Sequence, residues 1–170
     1  MQLNNLQDVL SEQLADLYSA ETQLVQALPK MAKAAHSEEL REAFEHHLEE
    51  TRGHVRRLDD VYGQVALARI EEVCEAMQGL IKEGEEVIAA SGDSAALDAA
   101  LIAAAQRVEH YEIAAYGSAR AIAEELGYKD AKSLLDETLQ EEGKADKLLS
   151  KLAEGGLGKG GINQEAAGVA

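Results

Sequence analysis

The sequence predicts an all-α protein, a four-helix bundle with one long, partly helical crossover between the second and third long helices. The 170 residues include a single proline and only 4% aromatic residues, and they are rich in Ala, Leu and Glu, which are good helix formers. Apolar residues recur at helical spacing along most of the chain, whereas no segment alternates apolar and polar residues for long. The length fits one domain with one buried core.

The first two long helices are predicted at about residues 3–33 and 38–63. Pro29 falls inside the first of them, and because proline costs about 3 kcal/mol in a helix interior, we expect a kink or a break there. Ser37 is a suitable N-cap for the second helix, and Gly63 is a natural stop. The short connection between the two helices makes them antiparallel neighbours.

The second pair of helices follows a crossover. Residues from about 67 to 90 form a shorter helical pattern, which is interrupted by two glycines. A long alanine-rich helix is predicted at about 94–126, ending at Gly127 in the favoured C′ position. A last helix completes a bundle over residues 1–153. The glycine-rich segment 154–170 is predicted to be a flexible tail.

Charge and cysteine content exclude several classes of function. The chain has 16 Lys and Arg residues against 32 Asp and Glu residues, a formal net charge of −16, and this field repels nucleic acids and anionic membranes. Cys74 is the single cysteine, so no internal disulfide can form. No apolar run is long enough to span a bilayer, and the amino terminus does not resemble a signal peptide. We expect a cytoplasmic protein without a nucleic-acid or membrane partner.

The second helix carries Glu50 and His54, four residues apart. On a helix such residues stand one turn apart on the same side, with about 5–6 Å between their Cβ atoms, a spacing that can clamp a metal ion. The last helix repeats the arrangement with Glu142 and Asp146. A single pair of this kind is typical of a solvated helix surface, so acids on the other helices decide the interpretation.

Three glutamates lie at the centre of apolar stripes when each helix is placed on a 100° wheel: Glu21, Glu112 and Glu142. Glu109, one turn before Glu112, flanks the same stripe. Counted from the two interhelical turns at 1.5 Å per residue, all the acids and the histidine lie at similar depths, roughly 21–29 Å. The predicted metal ligands are Glu21, Glu50, His54, Glu109, Glu112, Glu142 and Asp146.

Buried carboxylates need compensation, since an unpaired buried charge costs several kcal/mol. Two metal ions provide it, with iron favoured and manganese or zinc compatible with oxygen ligands and one imidazole. The alternatives are a shared-proton carboxylate network and ion pairs with Arg52, Arg107 or Lys144. His36, His46, His47 and His110 are expected at the surface or at the edge of a stripe, and His47 and His110 are the two to examine for metal contact. Tyrosines close to the acids can hydrogen-bond a ligand or simply fill the core: Tyr18, Tyr111 and Tyr116.

Three segments resemble a known family: Asp16-Leu17-Tyr18-Ser19-Ala20-Glu21, the Glu49-Glu50…His54 helix, and Val108-Glu109-His110-Tyr111-Glu112-Ile113-Ala114-Ala115-Tyr116-Gly117. Together they resemble the YciF-like branch of the ferritin-like superfamily over about residues 3–153. The resemblance implies a bacterial, stress-associated protein with a ferritin-like four-helix bundle. It also implies a dinuclear iron or manganese centre, held by one Glu from each of two helices and a Glu-x-x-His from each of the others.

The match to that ligand pattern is incomplete. Glu109 and Glu112 match the second glutamate that rubrerythrin-like members carry in the third helix. Glu50 and His54, in contrast, form Glu-x-x-x-His, and Asp146 stands where the family pattern has histidine. An oxygen-rich centre with one histidine is therefore expected, and its redox activity can differ from that of the family.

Three functions stay open on the sequence. A dinuclear centre could react with peroxide or oxygen, as a peroxidase-, catalase- or ferroxidase-type protein. It could instead sequester iron under stress without turnover. A third function is structural, with the metal as a staple and the apolar crossover at 67–90 forming a homodimer. The sequence contains no Cys-x-x-Cys module that would identify an electron donor.

Overall fold

The helices account for most of the chain. A computed structural model of the protein describes residues 3–156 and 159–168. In chain order the elements are α1 (Leu6–Ala34), α2 (Glu38–Gln64), α3 (Glu75–Ile88), α4 (Ser94–Glu125), α5 (Lys129–Glu154), β1 (Gly155–Gly156), β2 (Lys159–Gly160) and α6 (Ile162–Ala166). The strands of two residues each pair antiparallel. The prediction of an all-α protein is confirmed.

The boundaries of the long helices follow from local capping. The Ser37 hydroxyl accepts a hydrogen bond from the Leu40 amide at the start of α2, and the Asp93 carboxylate accepts one from Ala96 at the start of α4. Each cap satisfies an amide that has no partner within its helix. Gly127 follows α4 with φ of 79°, a left-handed conformation that favours glycine.

Pro29 does not break α1. The helix continues past it to Ala34, so the predicted break does not occur, and the alternative of a kink stays a prediction. Proline removes one intrahelical hydrogen bond, but the turn that contains it buries Leu28, Met31 and Ala32 in the core. Burial of apolar area by this turn offsets the lost bond.

The crossover is only partly helical, because α3 begins at Glu75 and not near residue 67. The preceding backbone is attached to α1: the Cys74 amide donates to Ser19 Oγ (2.9 Å), and the Cys74 carbonyl accepts from Gln23 Nε2 (3.1 Å). The bond to Ser19 gives the Cys74 amide the acceptor that a carbonyl of the preceding turn would provide in a longer α3. The prediction of helix from residue 67 is wrong for residues 67–74.

The four long helices contact one another in a ring: α1 packs against α2 and α4, and α5 packs against the same two helices. Two apolar clusters fill the space between them. The first cluster includes Leu24, Leu28, Leu40, Phe44, Met77, Leu101, Val108 and Leu149. The second cluster includes Leu10, Leu14, Leu17, Leu58, Val61, Tyr116, Ala119 and Leu135. Every long helix contributes to both clusters, and the residues between them form a separate layer.

The segment after α5 was predicted to be a flexible tail, and its described part has defined structure instead. The α6 helix packs against α4 and α5, and Ile162 is buried against the first apolar cluster. Gly161 lies so close to the Ala153 carbonyl that any side chain there would clash. The burial of Ile162 and the close backbone contact at Gly161 explain why this segment packs against α4 and α5. A glycine-rich composition gives no indication of either contact.

Within the described residues, none of the helices combines the length and the apolar character needed to cross a membrane. This finding agrees with the absence of a long apolar run in the sequence.

Asp98 joins α4 to the turn between α1 and α2. Its carboxylate is 2% exposed and accepts hydrogen bonds from the backbone amides of His36 (2.9 Å) and Ser37 (2.7 Å). Asp98→Ala leaves both amides without an acceptor, so we expect the free energy of unfolding to fall by about 2–4 kcal/mol in urea denaturation. Asp93→Ala, which removes one exposed cap from the same helix, should cost about 1 kcal/mol. Equal losses would contradict this role for Asp98.

Candidate metal centre

A layer of buried ionisable side chains separates the two apolar clusters. Each member is between 0% and 6% exposed: Glu21, His47, His54, Glu109, Glu112 and Glu142. The helical repeat places them there. On α1, for example, Glu21 lies four residues after Leu17 of the second cluster and three before Leu24 of the first. The layer therefore lies on the same helix faces as the apolar stripes, with ionisable residues in place of apolar ones at this height.

Four of these side chains form a first group of ligand atoms. His47, Glu109, Glu112 and Glu142 each offer an atom, and the four atoms lie within 4.8 Å of one another. His47 Nε2 lies 3.3 Å from Glu109 Oε1 and 3.8 Å from Glu142 Oε2. Three helices, α2, α4 and α5, thus converge on one point.

A second group lies beside the first and shares Glu142 with it. It consists of Glu21, His54 and Glu142. His54 Nδ1 lies 3.0 Å from Glu142 Oε1 and 3.3 Å from Glu21 Oε1. Tyr116 donates a hydrogen bond of 2.5 Å to Glu21 Oε1. Since Glu142 directs one oxygen to each group, the layer has two adjacent positions that a single carboxylate can bridge.

Most polar atoms of the layer lack a hydrogen-bond partner. In the described part of the chain, ten buried side-chain atoms have none, and eight of them belong to the layer. They include both carboxylate oxygens of Glu112 and of Glu142, together with His54 Nδ1. A buried unsatisfied polar atom costs about 1–3 kcal/mol, so this concentration makes the layer the candidate ligand site. Carboxylate oxygens and imidazole nitrogens form a donor set that suits divalent metals.

His54 is held in place from its other side. Its Nε2 lies 3.0 Å from Glu141 Oε2. Arg57 donates to the same Glu141 oxygen at 2.7 Å and to Thr138 Oγ1 at 2.7 Å. A carboxylate behind a histidine fixes the ring and leaves the opposite nitrogen available for a metal. Glu141 and Arg57 therefore orient Nδ1 of His54 towards the second group.

Burial shifts the pKa values of the layer. It raises the pKa of Glu109 to about 8, and the Glu142 carboxylate adds to the rise although His47 opposes it. Burial also raises the pKa of Glu112 well above its ordinary value. For the histidines burial acts in the opposite direction, but the nearby carboxylates outweigh it and raise the pKa of His47 to about 9 and that of His54 to about 11. Without a metal, the layer therefore retains protons at neutral pH.

Five of the seven predicted ligands lie in the layer, namely Glu21, His54, Glu109, Glu112 and Glu142. Glu50 and Asp146 join neither group. The Glu50 side chain is 25% exposed and approaches the layer only through His47, at 3.6 Å. The Asp146 carboxylate accepts a hydrogen bond from Gln106 (3.0 Å) and lies 3.2 Å from His110 Nε2. Metal binding by any of these residues stays a prediction.

His47 was expected at the surface or at a stripe edge and was not predicted as a ligand, but the structure buries it. The buried residues of α2 follow a strict spacing of three and four: Leu40, Phe44, His47, Thr51, His54, Leu58 and Val61. Glu50 falls outside this series. Asp146 fits the spacing on α5, four residues after Glu142 and three before Leu149, but its side chain is 20% exposed. Extending the apolar stripe residue by residue would have selected His47, whereas the spacing of four residues between Glu50 and His54 directed attention to Glu50, which joins neither group.

Among the described residues, the ion pairs considered as an alternative do not form at the layer for Arg52 and Arg107. Arg52 pairs with Glu49, and Arg107 lies 3.6 Å from Glu83. The compensation that remains is either a metal or protons shared among the carboxylates and the two histidines.

Comparison with known proteins identifies relatives. The family model described as "Domain of unknown function (DUF892)" matches residues 5–167. The chain is 47% identical over 165 residues to Protein YciF of Escherichia coli (strain K12), which covers 96% of this chain and 99% of that protein. The crystal structure of the E. coli stress protein YciF superposes with a TM-score of 0.87 at 48% identity, over 88% of this chain and 95% of that one.

A second solved relative comes from Rhodopseudomonas palustris. It is YcfI, whose description suggests a structural protein, and it superposes with a TM-score of 0.85 at 41% identity. The match covers 89% of this chain and 97% of that one.

Metal affinity should depend steeply on pH. Metal ligands must lose their protons, and the raised pKa values, about 8 for Glu109 and about 9 for His47, keep protons on the layer at neutral pH. The affinity for Mn²⁺ should therefore rise between about pH 6 and 9, whereas ligands with ordinary pKa values would be deprotonated by about pH 7. Calorimetry at pH 7 in two buffers of different ionisation enthalpy should show proton release. Binding without proton release would contradict the expectation.

Arg57 should affect metal affinity without touching the metal. Arg57→Met removes the side chain that holds Glu141, so His54 loses its orientation, and we expect a loss of about 10- to 100-fold in affinity. Titration of Mn²⁺ against a competing chelator measures the change. Arg56→Met is the matched control, because Arg56 is the exposed neighbour on the same helix. A similar affinity in the two variants would exclude this role for Arg57.

Proposed function

This chain belongs to the family described as Domain of unknown function (DUF892), and we propose that it holds two metal ions in a ferritin-like four-helix bundle and reacts there with peroxide or oxygen. Iron is the first choice for both ions, with manganese or zinc as alternatives. Turnover could be peroxidase-, catalase- or ferroxidase-like.

One observation carries the proposal: six buried side chains bring ligand atoms together in two adjacent groups, and most polar atoms of these side chains have no hydrogen-bond partner. A shared-proton network could use the 3.0 Å contact between His54 Nδ1 and Glu142 Oε1, but it would leave both oxygens of Glu112 without a partner. Two cations would use the polar atoms of the layer as ligands, with four carboxylates and two imidazoles between them. This mixture of hard oxygen and imidazole nitrogen favours iron or manganese over zinc, which in structural sites prefers sulfur and nitrogen ligands.

The residues of the chain have distinct roles in such a centre. Glu142 would bridge the two positions, and the hydrogen bond from Tyr116 would fix the orientation of Glu21. Glu141 would hold the proton on Nε2 of His54, so that Nδ1 is free to ligate. The apolar clusters on both sides would exclude bulk water. A bound pair of redox-active ions supplies electrons and polarises an O–O bond.

A stress-related role is consistent with the relatives, since the E. coli protein is called a stress protein. Consumption of peroxide and storage of iron would both fit such a role. They differ in whether the oxidised centre is reduced again.

A second function deserves a test, because the R. palustris relative is described as a suggested structural protein. Ile70 and Val73, in the extended part of the crossover, are 45% and 60% exposed. This apolar segment could form a homodimer in which the metal only strengthens the fold.

The experiment uses a matched pair of variants. Glu142→Gln should lose the metal from both positions, because both groups share this carboxylate, whereas Asp146→Asn should retain it, because Asp146 lies outside both groups. Protein purified without chelator is analysed for metal content. Anaerobic ferrous protein is then mixed with hydrogen peroxide, and iron oxidation and peroxide loss are followed together.

Three outcomes separate the functions. Peroxide loss that continues after the iron is oxidised indicates catalase-like turnover. Loss that stops with the oxidation of the iron indicates sequestration. If the wild-type protein contains no metal, or if Glu142→Gln reacts as fast as Asp146→Asn, the metal centre is excluded and the structural function remains.

A further inference from the structure

A cavity of about 140 Å³ leads to one side of the buried layer. It lies between α2 and α5, with a residue of α4 at its base. Half of its lining is apolar and half is polar: Ala43, Phe44, Ala145, Leu148 and Leu149, and His46, His47, Glu50, Glu109 and Lys144. Two residues of the layer line the cavity, His47 and Glu109, and both belong to the first group of ligand atoms.

Exposure changes along this cavity from solvent to the layer. At the outer end the His46 side chain is 70% exposed, and Leu148 is 39% exposed. At the inner end the side chains of His47 and Glu109 are 8% and 3% exposed. Glu109 Oε2 has no hydrogen-bond partner. The cavity therefore connects solvent with an unsatisfied carboxylate of the first group.

The second group is closed in comparison. Glu21, His54 and Tyr116 are each 0% exposed, and none of them lines this cavity. A site that acts on a substrate keeps one side open, whereas a structural metal site is closed. The two halves of the layer differ in this respect.

We propose that the cavity is a substrate site for a small organic hydroperoxide, with the O–O group at His47 and Glu109 and the apolar group against Phe44 and Leu149. The proposal rests on the proposed function. Size supports this class: a water molecule occupies about 30 Å³, and a cavity of about 150 Å³ accommodates a molecule the size of benzene. Hydrogen peroxide would leave the apolar wall without contacts. A hydroperoxide of about six heavy atoms would cover it.

The reaction balances with the two ferrous ions of the proposed centre as reductant. The O–O bond of the hydroperoxide would break on receipt of two electrons, one from each ferrous ion held by the layer, and two protons would come from solvent. The products are one alcohol and one water. The alcohol keeps the apolar group, so it occupies the same cavity and can serve as an inert probe.

The test compares two variants that add the same side chain. Ala145→Phe fills the cavity from α5, and Ala114→Phe adds the same ring on an exposed position of α4 outside the cavity. The substrate is tert-butyl hydroperoxide, mixed with anaerobic ferrous protein. We expect Ala145→Phe to slow iron oxidation by at least tenfold, and Ala114→Phe to react like wild type. With hydrogen peroxide, the smaller oxidant, Ala145→Phe should slow the reaction less.

A second readout does not depend on turnover. In the protein before iron is added, tert-butanol should shift the methyl NMR signals of Leu148 and Leu149 in a saturable way. Ala145→Phe should abolish these shifts, and Ala114→Phe should preserve them. Leu148→Ala tests the opposite change, because it widens the outer end of the cavity. It should raise the rate with the bulkier cumene hydroperoxide relative to the rate with tert-butyl hydroperoxide.

The failures of the two proposals are distinguishable. A wild-type protein without metal overturns the proposed function, and it also overturns the proposed reduction of an organic hydroperoxide in this cavity. A protein that binds iron and reacts, but whose Ala145→Phe and Ala114→Phe variants oxidise at equal rates, overturns the cavity proposal and leaves the centre standing. Saturable tert-butanol shifts that survive in Ala145→Phe overturn it as well. If Ala145→Phe does not fold, an unchanged hydroperoxide preference in Leu148→Ala overturns it.

Discussion

The structure depends on the free energy of keeping six ionisable side chains between two apolar clusters. Four carboxylates and two imidazoles lie there almost without solvent contact, and eight of their polar atoms have no hydrogen-bond partner. In water these atoms would be fully hydrated, and each lost hydrogen bond opposes folding by about 1–3 kcal/mol. Either the burial of the apolar clusters contributes enough free energy to offset this cost, or the layer binds a ligand that satisfies its polar atoms.

The four long helices make such a layer feasible. Each helix continues an apolar stripe on both sides of its polar residue, so one helical turn carries the ligands and the turns above and below carry core residues. Leu17 and Leu24 flank Glu21 on α1, and Val108 and Tyr116 flank Glu112 on α4. Apolar burial on either side then fixes the height of each acid along its helix. The convergence of the ligand atoms is a consequence of packing, and it requires no local ion pair.

The partners behind the layer make its two halves unequal. On one side Tyr116 donates to Glu21, Glu141 contacts Nε2 of His54, and Arg57 holds Glu141 in place. This half is sealed. On the other side His47 has only the partly exposed Glu50 behind it, at 3.6 Å, and a cavity reaches its ring. Rigid support and solvent access thus occur on opposite sides of the shared Glu142. This division suits a centre in which one position is structural and the other meets small molecules.

The sequence by itself determined the helices and the heights of the acids, because helical periodicity and distance along an axis are local properties. It identified Glu21, Glu112 and Glu142 at the centres of their stripes, and it located the turns through Ser37 and Gly127. Only the tertiary structure decided which edge residues turn inward. His47 enters the layer, and Glu50 and Asp146 remain outside, because a rotation of a few tens of degrees about each helix axis is set by contacts with neighbouring helices. Contacts between distant segments also bury Ile162 and keep the backbone before Glu75 non-helical. No local sequence pattern indicates either feature.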